Sequence, residues 1–377
     1  MRKSTLTLLL LCITAMAFGQ NENIYIEPGL RYGRGLPFDA DDSYLWDQPV
    51  VGLDLRVGKT TDGSEAWHHW FNYPSYGVAL RYEYDYGTVE SEAGSPRLGN
   101  DIALFAYYDG TIYRGRNFLF DYTLGGGAAW WFFCDAPEVG TQDNRFLGSH
   151  LNVHFNLDIG ASYSITPNYD IYLRGGVAHS SNAAFKLPDR GVNSTSLVAG
   201  VRYHLNEVQI DKTAPKTEEY TRHSIHVADG VGLMESTVDH KYKFCNTFQV
   251  GYGYRIGDRI RLGAGFDMMY NPEYKAIFIR NGNEADFTPI KNWSVGSYGS
   301  FEALYNRFVF HFAMGGYLYR GCAPDNTIGS YKPYYERLGA RFYVDKNKKQ
   351  FVGITAKLHF GVIDYLEWTY GIQLFNK

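Results

Sequence analysis

Where the apolar stretch GGVAHSS runs out, a histidine and two serines stand together as His179, Ser180 and Ser181, followed by Asn182. A serine hydroxyl beside an imidazole can act as a nucleophile with its base, with a third group orienting the ring. Backbone N–H groups just after such a nucleophile can hold an oxyanion. The competing reading is a solvated hairpin tip, because Pro188, Asp189 and Gly191 mark a loop before the next apolar stretch, NSTSLVAGVRYHL.

Other residues with chemical potential are weaker candidates. His68 and His69 in WHHW (67–70) could suggest a metal pair, but adjacent side chains on a strand point to opposite faces, so an aromatic interfacial loop is the better reading. The acidic DADDS (39–43) reads as a solvated external loop rather than a Ca²⁺ site bridging phosphates. No helix follows LGGGAAWW (124–131), which argues against a phosphate cradle. His150, His154, His204, His311 and His359 fall on polar strand faces and need no special role.

The elements that must position the first group are strands. In residues 150–165, Leu151, Val153, Phe155, Leu157, Ile159, Ala161, Tyr163 and Ile165 alternate with polar or small residues. Sixteen residues at about 3.3 Å each exceed what most compact domains need, whereas a tilted strand crossing an outer membrane needs about 9–11 residues in the hydrocarbon. Similar alternation predicts strands near 23–34, 48–59, 75–87, 99–112, 117–133, 150–165, 168–181 and 193–205. It continues near 221–235, 240–256, 258–270, 295–305, 307–320, 334–344, 350–361 and 364–375. Tight connections often alternate with long ones, the pattern of periplasmic turns and external loops, although 60–74 and 361–364 fit it less well.

Parity then sorts the polar group. Ile171, Leu173, Val177, His179 and Ser181 share the apolar, lipid-side face of one strand, with Asp170, Tyr172, Arg174 and Ser180 on the lumenal face. Asn193, Thr195 and Leu197 share the lipid side of the returning strand. Polar groups facing lipid are costly unless paired, but at the headgroup level they would meet the polar–apolar boundary of a lipid.

Composition agrees with this picture. Hydrophobic residues are only 45% of the chain, yet it holds 32 Tyr, 24 Phe and 41 Gly, which suits β-structure with aromatic girdles better than long aliphatic spans. No run of about 18 apolar residues follows the N-terminus, so no transmembrane helix is expected. The first residues read as a secretory signal, with Arg2 and Lys3 before a short apolar run and Ala17-Phe18-Gly19 at the cleavage site. Cys134, Cys245 and Cys322 remain after cleavage, an odd set without zinc spacing, and the net charge of −4 argues against a nucleic-acid surface.

The stretch from His179 to Asn193, HSSNAAFKLPDRGVN, resembles the signature of the outer-membrane lipid A 3-O-deacylases, the PagL-type family. The resemblance implies an eight-stranded barrel whose last two strands are joined by this segment. It also implies a serine-hydrolase pair on the outer wall that removes an ester-linked acyl chain from lipid A. Carried over, Ser181 is the nucleophile and His179 the general base, while Asn182 and the N–H groups of Ala183 and Ala184 resemble the oxyanion segment. The family's type members have glutamate where this chain has Asn193, which can orient a histidine but cannot stabilise imidazolium by charge. Asp189 is the only carboxylate in the loop and lies outside the register expected of the orienting group.

Likeness to those type members covers roughly residues 75–205, while the whole chain resembles longer Bacteroidetes-type outer-membrane acyl hydrolases, including YYERLGARFYV and DYLEWTYGIQLF. The expected organisation is a signal peptide (1–19), a deacylase-like half carrying the site (20–206), a charged connection (207–220) and a C-terminal half (221–377). The fold class is an all-β, antiparallel transmembrane β-barrel. A single barrel of about sixteen strands is preferred over an eight-stranded barrel plus a second barrel half. The expected activity is carboxylic-ester hydrolysis on lipid A or lipopolysaccharide of the outer leaflet, in the outer membrane, with no metal or other cofactor required. Oligomeric state stays open, a homodimer among the options. The alternative is a non-catalytic porin or scaffold whose lumen Arg174, Arg202, Lys357 and His359 would line.

Overall fold

The computed structural model describes residues 23–37, 46, 49–85, 99–132, 146–213, 220–322, 333–359 and 362–374. The signal segment, Cys134, DADDS and residues 214–219 of the charged connection lie outside the described residues. Among the described residues there are sixteen strands. The first eight are β1 (Ile24–Leu36), β2 (Pro49–Thr60), β3 (Ser75–Asp85), β4 (Asp101–Arg114), β5 (Phe118–Trp131), β6 (Leu151–Thr166), β7 (Tyr169–Ser181) and β8 (Val192–His204). The second eight are β9 (His223–Glu235), β10 (Tyr242–Ile256), β11 (Ile260–Tyr270), β12 (Trp293–Tyr305), β13 (Phe308–Arg320), β14 (Tyr334–Tyr343), β15 (Gln350–His359) and β16 (Val362–Leu374). Among the described residues, two short α-helices, α1 (Ala66–Trp70) and α2 (Glu273–Arg280), sit in connections.

Each set of eight closes on itself. β1 pairs with both β2 and β8, and β9 pairs with both β10 and β16, giving two closed antiparallel barrels. The preference for one large barrel is therefore corrected in favour of the two-part alternative. The physical reason is register: β8 meets the N-terminal strand along its length, from Tyr25 opposite His204 to Leu36 opposite Asn193, which satisfies both edges without a ninth strand.

Side-chain alternation builds both walls. In the first barrel the outward residues are apolar, with Val177 45% and Leu197 56% exposed, while Asp170, Tyr172, Arg174 and Ser180 are buried inside. An eight-stranded interior is just wide enough to be filled by side chains. Here Glu27 pairs with Arg56 (3.1 Å), Arg174 (3.3 Å) and Arg202 (2.5 Å). Asp109 takes Arg56 at 2.7 Å, and Asp121 takes Arg174 at 2.7 Å. In the second barrel Glu302 joins Arg261 and Arg341, each at 2.9 Å, and Arg337 pairs with Glu367.

The 60–74 connection, too long for a simple turn, holds α1 and is tied within its own unit. Asp62 accepts from the Asp211 N–H at 2.7 Å through its carbonyl, and Gly63 (φ +89°) lies where a Cβ would meet the Asp211 carbonyl. WHHW is thus a helical turn rather than a strand segment. His68 Nδ1 accepts from the Gly63 N–H, and His69 Nε2 meets the Gly63 carbonyl.

By compactness the chain divides into two units. One comprises Met1–Asn182 with Arg190–Thr217, and the other comprises Ala183–Asp189 with Glu218–Lys377.

Candidate active site

Antiparallel pairing of β7 with β8 sets His179 directly opposite Asn193. Opposed residues on one face bring their Cβ atoms to roughly 4.5–5.5 Å, close enough for side chains to bond. His179 Nδ1 lies 2.7 Å from Asn193 Oδ1, and His179 Nε2 lies 3.0 Å from Ser181 Oγ. An amide oxygen can only accept, so Nδ1 carries the ring hydrogen and Nε2 presents its lone pair to the Ser181 hydroxyl. The three residues expected to act together are brought into one hydrogen-bonded row. Both ring nitrogens are thereby occupied by Asn193 and Ser181, so Asp189 is not the group that orients His179.

Ser180 faces the other way. Its hydroxyl lies 3.0 Å from Nδ1 of His154, inside the barrel, and both residues are fully buried. The two serines therefore each have a histidine, one pair on the outer wall and one in the interior. Parity anticipated the separation of the serines, but not the interior His154–Ser180 pair, which appears only once β6 and β7 are in register.

The wall beside the outer pair is apolar. Val153 of β6 pairs with Ser181, Phe155 with His179 and Leu157 with Val177, and Phe155 and Leu157 are exposed. A hydrocarbon chain lying along β6 would run past the serine hydroxyl. The pair sits ten residues up β7 from Tyr169 at the tight-turn end. At about 3.3 Å per residue and a tilt of about 40°, that is roughly 25 Å of height, the whole apolar band of an outer-membrane barrel.

Ser181 is covered although it faces outward. Gly191, with φ +75°, folds back over the pair and donates its N–H to the Phe146 carbonyl at 2.9 Å. A Cβ at this position would meet His179 Cε1 at 2.7 Å and Ser181 Cβ at 2.8 Å. Sequence reading found Gly191 only as a loop marker. A glycine just before a strand restarts was the available signal, since that is where a left-handed residue is commonly needed.

The segment after the serine is conformationally unusual. Ala183 (φ +56°) and Ala184 (φ +64°) are both left-handed, and Asn182, Ala183 and Ala184 are buried. Each such non-glycine residue costs about 1–2 kcal/mol, so two in succession must be held by their surroundings. Asp189 is half-buried, and burial pushes its carboxyl above the usual range, with nearby Glu235 adding in the same direction. Among the described residues, no group of three or more His, Cys, Asp or Glu could hold a metal ion.

Two family models match the chain. The lipid A 3-O-deacylase (PagL) model matches residues 51–202, and the acyloxyacyl hydrolase C-terminal domain model matches residues 223–377. Among solved structures, the crystal structure of the outer membrane enzyme PagL is 20% identical over 47% of this chain and 98% of that one, with a TM-score of 0.30. Neisserial surface protein A is 14% identical over 48% of this chain and 96% of that one, with a TM-score of 0.29. Salmonella typhi OmpF is 9% identical over 93% of this chain and 97% of that one, with a TM-score of 0.19. A search of curated proteins gave no match.

Proposed function

This chain belongs to the PagL-type lipid A deacylase family, and from that premise we propose that it is an outer-membrane serine esterase cleaving an ester-linked acyl chain from lipid A. The observation that carries the reading is the row Ser181 Oγ–His179 Nε2 and His179 Nδ1–Asn193 Oδ1, at 3.0 and 2.7 Å on the lipid-facing wall.

The steps follow from the row. The Ser181 oxygen attacks the ester carbonyl while His179 Nε2 takes its proton. The oxyanion is met by backbone N–H groups of Ala183 and Ala184, with Asn182 beside them. His179 then returns the proton to the departing sugar or hydroxyacyl oxygen, leaving an acyl group on Ser181. Water then gives a proton to His179 and attacks the acyl carbonyl; the bond to Ser181 Oγ breaks, the fatty acid leaves and His179 returns the proton to Ser181. Asn193 holds the ring in the correct tautomer but offers no charge to the imidazolium.

Location supports the substrate. The pair stands at the long-loop end of β7, the side that faces outward in outer-membrane barrels, and export follows from the signal segment expected at residues 1–19. The apolar β6 wall provides a track for an acyl chain, and the headgroup level is where the ester of lipid A would lie. A solute pore is poorly supported. Arg174 and Arg202 do not line open water but are locked by Glu27, Asp109 and Asp121.

The test is lipid A mass analysis from a Gram-negative host expressing wild type or Ser181→Ala. Loss of an acyl mass with wild type alone is the expected result. Identical lipid A from both would sink the proposal.

A further inference from the structure

Along β1, Leu30, Tyr32, Arg34 and Leu36 share the outward face, and Leu30 and Tyr32 are exposed on the lipid-facing wall. Arg34 is therefore an outward cation near the upper end of an apolar stripe. A charge in such a place is costly in hydrocarbon and is tolerated where its head reaches the headgroup level. The Arg34 head is turned that way. Its Nη1 donates to the Trp46 carbonyl at 2.6 Å, in the long connection after β1, and the guanidinium lies 5.7 Å from the Trp46 ring centre. Among the described residues no carboxylate pairs with Arg34, whereas Arg31, on the inner face of the same strand, is held by Asp54 at 2.6 Å.

Register places this arginine beside the Ser181–His179–Asn193 row, within the first barrel. Leu36 pairs with Asn193, which pairs with His179. One outward step below, Arg34 pairs with Thr195, which pairs with Val177. With strands about 4.8 Å apart and residues about 3.3 Å along them, the Cα atoms of Arg34 and His179 are about 12 Å apart on one face. An arginine side chain and one sugar ring span that distance. We infer that Arg34 binds a phosphate group of the lipid substrate while the ester lies at Ser181, and so selects phosphorylated glycolipids. The inference rests on the serine-esterase reading above. With Nη1 engaged by Trp46, the Nε and Nη2 hydrogens form one edge of the guanidinium fork, the geometry that meets two phosphate oxygens at once. Lysine would offer a point charge without that edge. The contact is remote from the reacting carbonyl and acts on bound substrate and transition state alike, so its loss raises KM more than it lowers kcat.

The experiment uses the full chain in nonionic detergent micelles, with lipid A or the same lipid A stripped of its phosphates, so that the substrate carries the only phosphate present. Released fatty acid is measured for wild type, Ser181→Ala, Arg34→Ala and Arg34→Lys, and unheated gel mobility reports that each is folded. Wild type is expected to favour the phosphorylated form by about tenfold or more in kcat/KM, chiefly through KM. Arg34→Ala should bring that ratio to within about twofold of unity, and Arg34→Lys should keep part of it. An unchanged ratio in Arg34→Ala overturns the inference even if both lipids are cleaved more slowly, because Arg34 would then only anchor the barrel at the interface. If Ser181→Ala is inactive while Arg34→Ala keeps the wild-type ratio, the phosphate role is lost and the esterase reading stands. If Ser181→Ala hydrolyses lipid A like wild type, the esterase reading falls. Equilibrium binding of the two lipids to wild type and Arg34→Ala then decides by itself whether Arg34 takes phosphate.

Discussion

Asn193 is the residue at which this site departs most from a charge-assisted triad. Its oxygen accepts from His179 Nδ1 at 2.7 Å, which orients the ring, and in the proposed esterase mechanism it would leave the imidazolium without a compensating charge. Replacing a triad carboxylate by its amide has cost about 10⁴ in kcat in a serine protease, so the reverse change should help. Asn193→Asp, of the same shape, is expected to raise kcat about tenfold at neutral pH, read as the initial rate of fatty-acid release. Asn193→Ala should lower it about 10- to 100-fold, and a faster Asn193→Ala would contradict the orienting role. Gly191 gives a purely steric test. A methyl group there would need a left-handed backbone and would press on His179 and Ser181 at under 3 Å. Gly191→Ala should therefore cut hydrolysis by about 100-fold or more in a barrel that still runs as folded on unheated gels. Ser180→Ala, altering only the interior pair with His154, should leave the rate unchanged. The difference between the two serines was legible from parity alone, because a period of two gives each side chain a face. The cover from Gly191 was not, since a loop's path depends on contacts such as the one with the Phe146 carbonyl, distant in sequence.

Strands and their connections carry the next level. All sixteen strands formed within a few residues of where alternation put them, because in a one-layer wall burial and exposure change at every residue. Alternation says which face is inside but not what fills it. In the first barrel the filling is Glu27 shared among Arg56, Arg174 and Arg202, donated by β1, β2, β7 and β8. Removing one partner of a buried ion cluster strands the others, at about 3–5 kcal/mol. Glu27→Gln should lower the unfolding midpoint in detergent accordingly, and an unchanged midpoint would mean the cluster is solvated. The loop titrates in its own way. Asp189 has its carboxyl raised by burial and then by Glu235, so its folded form favours the proton. Its contribution to loop stability is present below the ordinary carboxyl pKa and is lost as pH rises through the raised value. Resistance of the 182–191 loop to proteolysis should therefore decline with rising pH in wild type and stay flat in Asp189→Asn. A parallel decline in both would assign the effect to another group.

At the scale of the whole molecule, what the sequence left open was closure. Each strand's pattern is compatible with one wide barrel or two narrow ones, because the pairing of β1 with β8 spans most of the first half and no local signal reports it. Two closed barrels have different consequences from one. Every edge of the first eight strands is satisfied within residues 24–204, so that half has its own complete hydrogen-bond ladder and its own charged interior. A chain ending after Thr217 should therefore still fold into a heat-modifiable barrel with His179, Ser181 and Asn193 in place. Gel mobility and circular dichroism of a closed barrel should be retained by this shorter chain, because β1 already pairs with β8. A shorter chain that fails to run as a heat-modifiable barrel would contradict closure within residues 24–204.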